Sequence, residues 1–290
     1  MRSHPQKTVF QRIAKNFTPQ KLSKFFRRLL VGGSRELPEW EYVGREWRNP
    51  GVSARGWNVQ SVVNLYKSNW PQFLKSVGPP EPLGLGDGNL SPTEIHWMTH
   101  HNYVSYGYVL ALAARKKERL RLLDWGGGIG EYYVLSQALL PGVEIEYVCK
   151  DVPLLCAHGR TLFPEAVFVE DESGVAGQKF DLVLVSGALQ FSEDWRSVAA
   201  LLASLTGSYL FLTRLPVVQR GDSFVVVQRP YTLGYGTEYL CWFLNRREVL
   251  EHMGNQRLRL VREFLGQERP KVRNAPEQGE FRGFLYQAIS

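Results

Sequence analysis

Four glycines fall within five residues of LLDWGGGIGEYY, residues 122–133, directly after a short apolar run that ends in an acid. A backbone that bare at the mouth of a strand lets a ligand approach main-chain atoms without meeting a Cβ. The helix that follows offers unpaired N–H groups at its start. Gly126, Gly128 and Gly130 make G-x-G-x-G. The dinucleotide fingerprint G-x-G-x-x-G requires glycine at 131, and this chain has Glu131, an anion where a pyrophosphate would sit. No G-K-S or G-K-T follows, which excludes the phosphate-binding P-loop. The spacing suits a nucleoside that carries no phosphate.

S-adenosylmethionine fits that description: an adenosine, a cationic sulfonium and a zwitterionic tail. It needs acids and aromatic rings around it. Asp124 closes the apolar run and is positioned to hold the ammonium, directly or through water, while Trp125, Tyr132 and Tyr133 can face a sulfonium with a ring. Asp151, in VCKDVP after the next strand, stands where an acid accepts both ribose hydroxyls. Glu170 or Asp171, in FVED, can accept from the adenine amino group, and Gly187, Ala188, Leu189 and Gln190 line the opposite wall. Each residue also has an ordinary use, a tight turn for the glycines or a loop cap for Asp171. Three acids after three successive strands are the stronger sign.

These residues need a scaffold that brings strand ends together. A helical pattern runs over 94–117, followed by strands at LRLLDW, VEIEYVC, AVFVE, FDLVLVS and SYLFLTRL, with helices from Glu131, near 154–162 and over 195–205. Strands apolar on both faces, alternating with helices, predict a parallel sheet covered on both sides. SFVVVQR, a helix near 246–253, LRLVREFL and FRGFLYQAI follow, so the sheet is expected to finish with a hairpin-like pair. The predicted organisation is a basic leader at 1–35, a Trp-rich cap and linker at 36–92, and a main domain at 93–290 with an insertion at about 215–243. Trp40, Trp47, Trp57 and Trp70 are expected chiefly to fill a small core.

Residues 1–35 hold nine Lys or Arg and no acid, leaving 26 basic against 28 acidic residues in the remainder of a chain whose formal charge is +7. The basicity belongs to the leader, so a nucleic-acid-binding face is not expected on the body. Within 19–31, Leu22, Phe25, Phe26, Leu29 and Leu30 share one helical face and Lys21, Lys24, Arg27 and Arg28 occupy the others. Such a helix can lie on an anionic membrane, dock on its own domain, or act as a targeting segment. Three cysteines without metal-ligand spacing suggest neither disulfides nor zinc, and a cytoplasmic setting, peripheral on the inner face of the cell membrane, is expected.

LDWGGGIGEYY, KDVP, DLVLVSGALQF, TRLPVV with SFVVVQRP, and RGFLYQ resemble a bacterial class I S-adenosylmethionine-dependent methyltransferase family associated with surface-polysaccharide and O-antigen gene clusters, over about residues 38–288. The resemblance implies a Rossmann-like fold with a mostly parallel seven-stranded sheet and helices on both faces. It carries over to Asp124, Gly126, Gly128, Gly130, Asp151 and Gln190. Lys150 beside Asp151 departs from it. SGALQF also stands in place of the N-P-P-Y loop of amino-methylases, which disfavours nucleic-acid amines.

The expected acceptor is a small molecule, a glycan or nucleotide-sugar hydroxyl in particular. If that hydroxyl must lose its proton, the candidate bases are His100, His101, Asp194 and Glu238, with His101 or its neighbour Tyr103 favoured. Arg214, Arg220, Arg229, Arg246 and Arg247, interleaved with Tyr231, Tyr235, Tyr239 and Trp242, offer forks for phosphate oxygens. Two rival readings are a catalytically silent scaffold of a glycan-assembly complex and an NAD-dependent oxidoreductase. The oligomeric state is not assigned.

Overall fold

The computed structural model describes residues 37–48, 55–79, 82–85 and 94–289. The leader, with its expected helix over 19–31, lies outside the described residues. From Pro38 onward the elements in chain order are β1 (Trp40–Gly44), α1 (Gln60–Val77), α2 (Glu94–Ala114), β2 (Arg119–Trp125), α3 (Glu131–Leu139), β3 (Glu144–Lys150), α4 (Pro153–Leu162), β4 (Val167–Val169), β5 (Phe180–Ser186), α5 (Trp195–Leu205), β6 (Thr206–Val218), β7 (Phe224–Gln228), β8 (Tyr239–Asn245), α6 (Arg246–Gly254), β9 (Leu258–Leu265), β10 (Val272–Arg273) and β11 (Glu280–Ala288). Among the described residues no helix is long and apolar enough to cross a membrane.

Seven strands run in the order β4-β3-β2-β5-β6-β11-β9, with β11 antiparallel to both its neighbours and the other pairings parallel. This is the expected Rossmann-like arrangement, a mostly parallel seven-stranded sheet with helices on both faces. Its strands alternate strictly: Leu122, Leu182, Leu184 and Phe211 pack with α2 and α3 on one face, while Leu123, Val183, Val185, Leu210 and Leu212 pack with α5 and α6 on the other. Both sets are buried, so successive side chains on each strand enter two separate cores. Chain order reverses between β2 and β5, which opens a crevice at the carboxyl ends of those strands.

The N-terminal cap is not purely helical. A second sheet, ordered β10-β1-β7-β8, takes β1 from the Trp-rich segment, β7 and β8 from the expected insertion, and β10 from near the C-terminus. SFVVVQR therefore forms part of this smaller sheet, which is continuous with the seven strands through the β6–β8 pairing. YLCWFLN is a strand whose Tyr239, Cys241 and Phe243 are buried, an alternation the arginine and tyrosine spacing of the region obscures. Phe224 and Phe243 stack at 5.4 Å and the Trp40 ring meets Phe243 edge-on at 5.7 Å, so Trp40 fills a core as expected. Strand β6 is long enough to serve both sheets: Thr213 is its last partner for β5 and Val217 its first for β8. Between them β6 bulges against β11, whose register shifts between Arg282 and Phe284, and Arg214 takes φ 53°.

Candidate functional site

A cavity of about 560 Å³ occupies the crevice, between the ends of β2, β3, β5 and β6 below and the second sheet and α1 above. Trp125, Gly126, Lys150, Asp151, Gly187, Ala188 and Gln190 line it from the strand ends, together with Trp57, Tyr66, Arg214, Tyr235 and Tyr239.

The glycine loop is bare because three of its positions touch other groups. A Cβ on Gly126 would lie 2.3 Å from the Cβ of Ala188, so the loop after β2 and the loop after β5 meet without space for a methyl group. A Cβ on Gly127 would lie 2.5 Å from the Asp124 carboxyl carbon and 2.9 Å from Cys149 Sγ. Gly127, an unconstrained position in G-x-G-x-G, is thus fixed by the acid beneath it. Tyr66 of α1 lies over Gly128, its hydroxyl 3.1 Å from where a Cβ would stand. Gly130 has φ 100° and begins α3 without a side-chain cap.

Asp124 is fully buried and does not line the cavity, which corrects the expectation of direct contact with a ligand. Its Oδ2 accepts from the Tyr147 hydroxyl at 2.5 Å and its Oδ1 has no partner. Burial pushes its pKa up to about 7, and the charges of Asp151 and Glu131 add to the rise. Its place is under the loop, supporting it. Asp151 does face the cavity. Its Oδ2 accepts from Gly128 N–H at 2.7 Å and its Oδ1 from Val152 N–H at 2.6 Å, leaving further lone pairs on both oxygens. Burial raises its pKa to about 6 against those two hydrogen bonds and the nearby Lys150.

Lys150 Nζ sits 4.7 Å over the Trp125 ring, so one face of that indole is already taken by a cation. Tyr133 packs against Tyr147 and Phe163, away from the cavity. Glu170 pairs with Arg160 at 2.8 Å, and Asp171 caps a turn by accepting from Ser173 N–H at 2.9 Å. Neither lines the cavity: β4 ends level with β3, but Glu170 is drawn onto Arg160 and Asp171 onto its own turn. Gln190 is 4 % exposed; its Nε2 donates to the Arg214 carbonyl at 3.4 Å and its Oε1 is buried without a partner.

A side chamber of about 230 Å³ adjoins this cavity where Met98, Arg214 and Glu268 line both. Tyr103, Glu131 and Tyr132 line it as well. The Tyr132 hydroxyl bonds Ser186 Oγ at 2.9 Å. Burial, then the Glu131 charge, drives the Tyr103 pKa upward, so at neutral pH its hydroxyl is a donor and not a base. Burial raises Glu131 to about 7, with Arg214 opposing the rise. The sequence reading used Glu131 only as an obstacle to pyrophosphate; here it is a carboxyl that titrates near neutrality, where general bases work best.

The other candidate bases are elsewhere. His101 lines a crevice of about 10 Å³, too small for a ligand group. His100 Nδ1 pairs with the Leu83 carbonyl at 2.8 Å and holds the linker against α2. Asp194 caps α5 through Ser197 N–H at 3.0 Å, and Glu238 accepts from the Tyr231 hydroxyl. Of the five arginines, Arg229 is buried between Glu41 at 2.9 Å and Glu238 at 3.6 Å, Arg246 is forked onto Glu263, and Arg247 pairs with Glu251. Among them only Arg214 lines the cavity. Its φ lies in the left-handed region, which costs a side-chain-bearing residue about 1–2 kcal/mol.

Trp57, expected to fill a core, lines the cavity while stacking on Tyr239; Tyr66 and Glu268 had no local signal, because only tertiary packing brings them to the site.

No protein-family model and no curated protein sequence matches the chain. By structure it is similar to an S-adenosylmethionine-dependent methyltransferase from Clostridium acetobutylicum, at 11% identity over 66% of this chain and 92% of that one, with a TM-score of 0.45. It is similar also to a 1,6-didemethyltoxoflavin-N1-methyltransferase from Burkholderia thailandensis, bound to 1,6-didemethyltoxoflavin and S-adenosylhomocysteine, at 16% identity over 67% and 81%, with a TM-score of 0.44. A third is an O-methyltransferase family 2 protein from Planctomyces limnophilus in complex with apigenin, at 14% identity over 78% and 60%, with a TM-score of 0.45.

Proposed function

We propose that the protein is an S-adenosylmethionine-dependent methyltransferase acting on a small-molecule acceptor. The observation that carries this reading is the Asp151 carboxylate, which lines the cavity, hydrogen-bonds the glycine loop and keeps lone pairs free for a ribose. The unpartnered Oε1 of Gln190 and the close contact of Gly126 with Ala188 fit the same ligand: one needs a donor, the other leaves the loop backbone open. Glu170, Asp171 and Tyr133 drop out of the proposed site, and Asp124 is kept as the support of the loop.

When bound, the cofactor supplies an electrophilic methyl group on sulfur, which passes to the acceptor's oxygen or nitrogen and leaves a neutral thioether. The chain's part is to hold the reacting atoms in line and keep water out. The aromatic wall opposite the loop serves the second purpose, with Trp57 and Tyr239 stacked at 4.5 Å. The Glu131 carboxylate takes the proton an acceptor hydroxyl must lose, with Tyr103 as a neighbouring donor. In its finer form the acceptor is a sugar of a surface-glycan precursor, and the basic leader keeps the enzyme near the inner face of the cell membrane; deleting residues 1–33 then abolishes binding to anionic vesicles.

Calorimetric titration with S-adenosylhomocysteine tests the cofactor. A dissociation constant on the order of micromolar is expected, with no heat from NAD and a loss of at least about tenfold in Asp151→Ala, the value of a charge-assisted hydrogen bond. Equal binding of NAD, or an unchanged Asp151→Ala variant, would overturn the assignment.

A further inference from the structure

Arg214 lines the cavity with almost nothing to hold. Among the described residues its guanidinium has one ion pair, Nε to Glu268 Oε1 at 3.7 Å, and no side-chain hydrogen bond. Its side chain is still 47 % exposed, and the surface it exposes faces the cavity and side chamber. Arg229 and Arg246, by contrast, are committed to carboxylates.

The backbone reinforces the contrast. Thr213 is the last residue of β6 paired with β5, and the bulge against β11 follows at once, with Arg214 in the left-handed region. A straight strand would avoid that conformation. Strain of this kind persists where the surrounding structure fixes it, and it turns this side chain into the cavity. Tyr66, Tyr132 and Tyr235 stand close enough to interact electrostatically with the guanidinium, as does the Glu131 carboxyl. An arginine fork with free donors binds a carboxylate or phosphate through two parallel hydrogen bonds.

Arg214 also stands on the β6 side of the chain reversal, three strands along the sheet from β3, which Asp151 follows, and beside the loop after β5, its Nη1 3.7 Å from where a Cβ on Gly187 would stand. Resting on the proposed reading, in which the loop side holds the cofactor, we propose that Arg214 seats an oxyanion of the acceptor, so that the enzyme's substrates are small molecules bearing a carboxylate or a phosphate. The long Glu268 contact marks the position such an anion takes over.

The test uses the full chain, with and without saturating S-adenosylhomocysteine, and three probes of one size: phenyl phosphate, benzoate and uncharged benzamide. Ligand-observed NMR or calorimetry is expected to show at least one oxyanion binding about tenfold or more tighter than benzamide. Arg214→Gln should remove that preference while changing S-adenosylhomocysteine affinity less than about threefold. Arg214→Gly removes the fork and relieves the backbone strain, so it should behave alike and melt no lower than the parent. Preference for phenyl phosphate over benzoate assigns a phosphorylated acceptor, and the reverse a carboxylic acid.

Equal binding of all three probes, or none at millimolar concentration, overturns the proposal. So does a loss of S-adenosylhomocysteine affinity beyond about tenfold in Arg214→Gln, which would give the fork to the cofactor's own carboxylate. If S-adenosylhomocysteine fails to bind the parent protein while the oxyanion preference persists, the methyltransferase reading falls and the oxyanion site stands.

Discussion

The two walls of the cavity are built in opposite ways. The loop wall comes from residues 122–152, where one strand, one turn and the next strand supply the glycines and both buried acids. The other wall is gathered from Trp57, Tyr66, Arg214, Tyr235 and Tyr239, five residues from five different elements or loops. The first wall is rigid through backbone contact and local hydrogen bonds; the second depends on two sheets meeting along β6. A nucleoside of fixed shape suits the first. An acceptor that differs between related enzymes suits the second.

The largest effect is expected in the second sheet. Arg229 is 6 % exposed at its side chain and sits between Glu41 and Glu238, so Arg229→Ala leaves carboxylates without their cation and should cost about 3–5 kcal/mol in urea unfolding. Arg214→Gln, a few residues from the same sheet, should cost less than about 0.5 kcal/mol. Similar losses at both sites would mean that Arg214 is structural.

On the loop wall, Gly126→Ala brings a methyl against Ala188 at φ 76° and should lose about 2–4 kcal/mol together with S-adenosylhomocysteine binding. Gly142→Ala, which meets nothing within 4 Å, is the control and should stay within about 0.5 kcal/mol of the parent.

How far each wall is legible in the sequence follows from its construction. The strands announce themselves because they are apolar on both faces, and α5 was legible residue for residue because Asp194 caps its start. Asp151 and Gln190 stand in the cavity because the strand register carries them there. Asp124 was read as a contact and proves to be a support, since a composition of acids and glycines does not reveal that Gly127 lets the loop settle onto the carboxylate. Glu170 and Asp171 are held by local partners, Arg160 and Ser173, that their spacing does not reveal. Of the aromatic wall, Arg214, Tyr235 and Tyr239 were legible as a substrate-seating segment, whereas Tyr66 is one tyrosine on a helix until α1 is laid across the loop.

A pH effect sharpens the role of Asp124. Its pKa rises from about 4 in the unfolded chain to about 7 when folded, so the native state binds the extra proton. Its contribution is fully present below about pH 4 and is lost as pH climbs through 7, at up to about 1.4 kcal/mol per pH unit. Glu131 behaves in the same sense. Asp124→Asn should flatten the fall in unfolding free energy across that window, and an unchanged profile would remove Asp124 as its cause.

The smallest effect concerns the acids left outside. Asp171→Ala should lose about 1 kcal/mol or less through its cap, and neither it nor Glu170→Gln should shift S-adenosylhomocysteine affinity by more than about twofold. A larger shift in either would return the end of β4 to the cofactor wall.

The most direct test of the division between the walls is a crystal structure of the complex with S-adenosylhomocysteine. Ribose hydroxyls are expected on Asp151, the sulfur between the glycine loop and Gly187–Gln190, and Arg214 still unclaimed and facing the open remainder of the cavity. Adenosine against Trp57 and Tyr239, with Asp151 bonded only to the loop, would contradict it.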